Sequence, residues 1–219
     1  VAHFEAGKSD VCAVFRVPQK LYGRDAQRAV LISAFEGAAS GVPAVVLVSG
    51  PSGLGKSALV NELQRPIVER RGYFAAGKFD QLANAPYAAL IHAFRQLFRE
   101  LLLESDAQVD ALRRALTEAL GANTRVIADV IPEVEQLLGP QPAVAPVIPA
   151  EAQNRFNAAF SAFVGVFARP EHPLALLLDD LQWADASTLA LLQRLLRDAA
   201  GRHLLIIGAF RDGEVRAGD

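Results

Sequence analysis

Apolar positions in this chain fall into two kinds of run. Short continuous runs at Val45-Val46-Leu47-Val48, Leu174-Ala175-Leu176-Leu177-Leu178 and Leu204-Leu205-Ile206-Ile207 predict strands covered on both faces, as in a parallel sheet. Between them, apolar residues recur every three or four positions and predict helices. Val30, Leu31, Ala34 and Phe35 mark one such face, closing near Gly37 and Gly41. Ala58, Leu59 and Leu63 continue a helix that Pro66 limits or kinks. Tyr73 to Phe79 reads as a further strand, weakened by its small residues.

Pro86 suits the first turn of a long helix whose stripe is Tyr87, Leu90, Ile91, Phe94, Leu97, Phe98 and Leu101. Asp106 can cap a helix carrying Val109, Leu112, Leu116 and Leu120. Shorter helical pieces, divided by Pro132, lead to Pro140, Pro142, Pro146 and Pro149, a stiff extended connection. Phe156, Phe160, Phe163 and Phe167 share one face of a helix that stops before Pro170, and Leu189, Leu192, Leu195 and Leu196 mark the last. Strands alternating with helices predict an α/β fold with a mainly parallel sheet. Residues 1–20 lack periodicity and read as a linker arm, leaving 21–219 as one domain.

Composition narrows this picture. A chain of 219 residues, 52 % hydrophobic, is enough for one well-buried core. The formal net charge of −2 gives no electrostatic footprint for nucleic acid or an anionic membrane. One cysteine, Cys12, excludes an internal disulfide framework. No apolar run reaches membrane-spanning length, and a reducing, cytoplasmic setting fits both facts. With no methionine, the sequence reads as a fragment of a longer protein.

The first apolar run enters Gly50-Pro51-Ser52-Gly53-Leu54-Gly55-Lys56-Ser57, the G-x-x-x-x-G-K-S spacing of a phosphate-binding loop or Walker A motif. Glycines at 50, 53 and 55 allow a backbone bend that turns successive N–H groups inward. Those donors, with Leu54 and Ala58 among them, lie where a helix begins and its dipole favours an anion. Lys56 brings a mobile cation to terminal phosphates, and Ser57 offers a hydroxyl to Mg²⁺.

The second apolar run ends in Asp179-Asp180. Ligands of parallel sheets collect at the carboxyl ends of strands, so this pair is expected near the loop. A carboxylate pair beside a core is costly unless a cation or a reaction uses it. Asp179 fits a Mg²⁺ ligand, and Asp180 fits the group that orients and polarises an attacking water. Asp185 is the simplest N-cap for the helix that follows. Trp183 either wedges this loop or marks a contact surface. The third run delivers Arg211 to the same edge, either to sense a terminal phosphate or to pair with Asp212 or Glu214 on the surface. His92 lies off its helix stripe and reads as a surface histidine.

Leu21-Tyr22-Gly23-Arg24-Asp25, the Gly50–Ser57 loop, Asp179-Asp180 with Gln182-Trp183-Ala184-Asp185, and Gly208-Ala209-Phe210-Arg211-Asp212 together resemble the AAA+/STAND branch of P-loop NTPases. The likeness runs from about Phe15 to Val215. It is greatest to the central ATPase module of large bacterial signalling proteins, which carry a preceding serine/threonine kinase-like domain and following sensor and histidine-kinase domains. The resemblance implies a three-layer α/β/α sandwich with the Asp180 strand next to the P-loop strand. It also implies ATP and Mg²⁺ as ligands, Tyr22, Gly23 and Arg24 near adenine and ribose, and Arg211 as a sensor-1-like residue. Kinase-like and histidine-kinase domains of the parent chain, and self-association on ATP binding, are the partners it implies, with no nucleic acid or membrane. Where many relatives carry glutamate, this chain has Asp180, which suits slow, switch-type turnover. The last core strand and helical lid of the family are expected beyond this chain, and Arg155 and Arg169 are candidates for a neighbour's site. A non-hydrolysing nucleotide scaffold and a DNA-associated AAA+ ATPase are the alternatives.

Overall fold

The computed structural model describes residues 23–51, 55–81, 85–198 and 201–212. Four strands, β1 (Ala44–Ser49), β2 (Tyr73–Lys78), β3 (Leu174–Asp179) and β4 (Leu204–Phe210), form one sheet in the order β1-β4-β3-β2. Every pairing is parallel. All carboxyl ends therefore lie along one edge, with Ser49 opposite Phe210 and Lys78 opposite Asp179. The P-loop strand and the Asp180 strand are not neighbours, contrary to the expectation, because β4 lies between them.

Side-chain alternation along β3 and β4 divides the core. Leu174, Leu176, Leu178, Leu204 and Ile206 face one layer, while Ala175, Leu205 and Ile207 face the other. The thinner layer is α1 (Asp25–Ala39), α2 (Lys56–Asn61) and α3 (Gln64–Glu69), which bury Leu31, Phe35, Leu59, Leu63 and Ile67. Pro66 sits in the first turn of α3, so the chain after the P-loop forms two short helices. Val30 does not join the buried face; it is 61 % exposed, and Ala38 takes the inward place one turn beyond Ala34.

The thicker layer holds α4 (Ala88–Leu101), α5 (Asp106–Leu120), α6 (Thr124–Ala128), α7 (Glu133–Leu138), α8 (Pro149–Phe167) and α9 (Ala186–Arg197). Its centre is aromatic. Phe94 of α4 meets Phe160 and Phe163 of α8 edge-on, with ring centres 5.7 and 5.3 Å apart, and Phe98 and Phe167 extend the cluster. Such edge-to-face pairs each add about 0.5–1.5 kcal/mol beyond burial. The helix starts differ from the expected ones in three places. α4 begins at Ala88 rather than in a turn led by Pro86. Ser105, not Asp106, caps α5: its backbone N–H and hydroxyl both donate to Gln108 Oε1, at 3.3 and 2.5 Å. Pro149 ends the extended connection by opening α8.

α4 lies directly on β2. A Cβ at Gly77 would stand 2.1 Å from the carbonyl oxygen of Ala89, so only a glycine allows this approach.

Glu133 is buried at the start of α7 and accepts hydrogen bonds from Arg95 Nε at 3.0 Å and Arg99 Nε at 2.9 Å, tying α7 to α4. Burial works to raise its pKa, but its own backbone N–H and the Arg95 and Arg99 guanidinium groups outweigh this and hold it below the usual carboxylate value. A lowered folded-state pKa contributes stability above the unfolded value of about 4.3, and that contribution is lost as pH falls through the folded value. Glu133→Gln is therefore expected to cost about 1.5–3 kcal/mol in urea unfolding at pH 7. The gap between the two proteins should narrow at acid pH; a pH-independent gap would mean that packing, not charge, sets it.

Candidate functional site

β1 ends at Ser49 and enters the glycine loop. Gly50 has φ 146° and Gly55 φ 77°, backbone states in which an L side chain is strained. Gly55 immediately precedes α2, which carries Lys56, Ser57 and Ala58. Lys56 folds back over the loop, its Nζ donating to the carbonyls of Gly50 at 2.7 Å and Pro51 at 3.1 Å. The ammonium is thereby held at the start of the loop by two neutral backbone carbonyls. Gly53 and Leu54, like Tyr22, lie outside the described residues.

At the next position but one in the sheet, β3 delivers the carboxylate pair. Asp179 Oδ1 accepts the backbone N–H of Asp180 at 2.9 Å. Asp180 takes a left-handed conformation, φ 54°, rare outside glycine and found where the surroundings enforce it. Its side chain is only 10 % exposed and stands between two cations, Arg211 Nε at 3.2 Å from Oδ1 and Lys78 Nζ at 3.3 Å from Oδ2. Gln182 Nε2 adds a long donation to Oδ1 at 3.3 Å. Arg211 thus reaches the expected edge and pairs there with Asp180. β4 and β2 flank β3, and this is why the last residue of β2 and the residue just after β4 supply the two cations.

Lys78 was not singled out from the sequence. It closes a weak strand, and only the register that sets it beside Asp179 reveals its reach to Asp180. A cleft of about 600 Å³ opens over this edge, lined by Lys78, Asp80, His92, Asp180, Trp183 and Arg211. His92 is exposed and bonded to Gln96 at 3.2 Å, as expected for a surface histidine, yet it borders this cleft. Trp183 is 37 % exposed, so it walls the cleft more than it fills the core. Asp185 caps α9 as expected, accepting the Thr188 N–H at 2.8 Å.

Arg24 lines a separate cleft of about 390 Å³ beside β1, whose walls include Val30, Val46, Val48 and Leu59. Gly23, with φ 76°, turns the chain into α1 just before it. Gln27 and Ser49 add polar groups to this lining. Among the described residues no three His, Cys, Asp or Glu side chains gather into a metal cage. The Ser57 hydroxyl and the Asp179 carboxylate are hard oxygen donors. Mg²⁺ is commonly held by so few protein groups together with phosphate oxygens and water, and the donor set fits it. No helix of the described residues is long and apolar enough to cross a membrane.

A parallel sheet with helices on both faces, a glycine loop opening a helix from one strand, and paired carboxylates on another strand of the same edge define a P-loop NTPase fold. A family model described as AAA ATPase domain matches residues 20–207, and the chain belongs to that family. It is 34 % identical over 196 residues to the hybrid signal transduction histidine kinase G of Dictyostelium discoideum, a match covering 90 % of this chain and 6 % of that protein. It is 29 % identical over 101 residues to the peroxide stress-activated histidine kinase mak3 of Schizosaccharomyces pombe (strain 972 / ATCC 24843), covering 44 % of this chain and 4 % of that protein. The chain therefore spans a small fraction of either relative's length. It is similar to a limited stretch of each of these two histidine kinases.

Proposed function

We propose that this domain binds ATP with Mg²⁺ and hydrolyses it to ADP and phosphate, as a slow regulatory switch within a multidomain signalling protein. The observation that carries the reading is Asp180 fixed beside Arg211 on the sheet edge from which the P-loop emerges. In this reading the P-loop amides and Lys56 hold the phosphates, and the bonds of Lys56 to Gly50 and Pro51 are exchanged for bonds to phosphate oxygens. Ser57 and Asp179 hold Mg²⁺, which would neutralise phosphate charge. Asp180, pinned by its two cations, is an oriented acceptor that aligns a water for attack. Arg211 links that acceptor to the terminal phosphate. Gly23 and Arg24 border the adenine and ribose. Kinase-like, sensor or histidine-kinase domains of the parent chain are the partners this reading expects, as the two relatives are histidine kinases.

One observation favours a second reading, a nucleotide-binding scaffold without turnover: both oxygens of Asp180 already carry a cation. Calorimetric titration with ATP, with and without Mg²⁺, followed by phosphate-release kinetics separates the two. The hydrolase reading expects Mg²⁺-dependent binding and phosphate release above the buffer rate. Binding with no release would leave the scaffold.

A further inference from the structure

The loop from Asp180 to Asp185 is held at one end by residues at the close of β2 and at the other by Tyr87, at the start of α4. At the near end the Phe79 N–H donates to the Asp179 carbonyl at 3.0 Å, and Lys78 pairs with Asp180. At the far end the Tyr87 N–H donates to Thr188 Oγ1 at 3.0 Å, and that hydroxyl donates to Asp185 Oδ2 at 2.5 Å. Thr188 has no exposed surface. Between the two ends runs a single 3₁₀ turn, Leu181–Trp183, closed by the Trp183 N–H to the Asp180 carbonyl at 3.0 Å.

Tyr87 makes this bond from a strained position. Its φ is 64°, a left-handed state costing a non-glycine residue about 1–2 kcal/mol. The strain is sustained from two sides. The Tyr87 ring packs on Phe156 of α8 with centres 4.7 Å apart, and its hydroxyl accepts from Gln153 Nε2 at 2.6 Å. On the other side is the bond to Thr188. Burial works to raise the Asp185 pKa, but the Thr188 hydroxyl, with backbone N–H donors including those of Thr188 and Tyr87, holds the carboxyl low. An ordinary N-cap needs only the bond to the Thr188 N–H. The additional buried bond to Tyr87 crosses to another element and stiffens the loop that carries Asp180.

We propose that Thr188 is a positioning residue for Asp180: its hydroxyl bolts the far end of the loop to Tyr87 at the start of α4, while Lys78 and Phe79 hold the near end, so the carboxylate's place is set from both ends. The catalytic half of this inference rests on the hydrolase reading above; the loop-bolting half does not. Thr188→Val keeps shape and burial but removes the hydroxyl, and Thr188→Ser restores it. Trp183 is the one tryptophan of the chain and lies inside the loop, so its quenching by acrylamide reports loop order without any turnover.

Thr188→Val is expected to raise the quenching constant about twofold and to lower kcat about tenfold, a loss of about 1.4 kcal/mol, with ATP affinity unchanged. Thr188→Ser should return the quenching constant and kcat to the wild-type values. Unchanged quenching in a folded Thr188→Val, or a serine variant behaving like valine, overturns the proposal. If quenching rises but kcat holds, the loop is bolted without positioning Asp180, and the positioning claim falls. Should the wild type release no phosphate, the hydrolase reading fails, the positioning claim falls with it, and quenching alone decides the bolt. Should Thr188→Val not fold, Thr188→Ala removes the same hydroxyl without adding bulk, and an unchanged quenching constant in that variant overturns the bolt.

Discussion

Asp180→Asn is expected to stop phosphate release while ATP still binds with near wild-type affinity. The carboxylate is held by two cations, Lys78 at the end of β2 and Arg211 just beyond β4. Asparagine fills the same volume and keeps an acceptor oxygen for one cation, but the other oxygen becomes an NH₂ donor that faces the second cation and cannot take a proton from water. Groups in this role contribute about 10²–10⁴ to rate, so kcat should fall at least 100-fold. The phosphate contacts assigned to the P-loop are untouched, so affinity should stay within about threefold. Neutralising the buried carboxylate also costs some stability, on the order of 1 kcal/mol because both cations face solvent, and melting must be followed beside kinetics. Retained turnover in a folded variant would remove Asp180 from the chemistry and move attention to the scaffold reading.

Lys56→Ala should do the reverse and weaken ATP binding about 100-fold, equivalent to about 2.7 kcal/mol. Its ammonium bonds only to the carbonyls of Gly50 and Pro51 among its recorded partners. Those neutral acceptors are easily replaced by phosphate oxygens, and charge-assisted bonds of that kind are each worth about 1.5–3 kcal/mol. The folded state itself should lose less than about 1 kcal/mol, as no buried charge is left unpaired. Equal affinities for wild type and Lys56→Ala in calorimetry would sink the phosphate role. Together the two substitutions separate holding the nucleotide from acting on it.

Much of this site was legible in the sequence because its signals are local. The glycine spacing before Lys56, the apolar run ending at Asp179, and the run delivering Arg211 each depend on a few adjacent residues. The aromatic stripes of α4 and α8 were legible for the same reason, since 3.6-residue periodicity is a property of one helix. What stayed hidden depends on how separate elements dock. The place of β4 between β1 and β3 is decided by which crossovers the helix layers allow, and no strand's own residues record it. Lys78 meets Asp180 only through the register of two strands about a hundred residues apart. The left-handed turn at Tyr87 is held by Thr188, and nothing near a tyrosine preceded by proline announces a positive φ. Smaller differences have local causes that compete. Ser105 and Asp106 are both good caps, and the serine wins through its partner Gln108.

Gly77 adds a consequence of another kind. With the Ala89 carbonyl 2.1 Å from where a Cβ would stand, even alanine at this position forces a whole helix to lift or tilt. No graded series of side chains leads from one packing height to another. Strand β2 and helix α4 are therefore one cassette for recombination: in chimeras with related domains the two must be exchanged together, and a junction between them would splice two mismatched spacings.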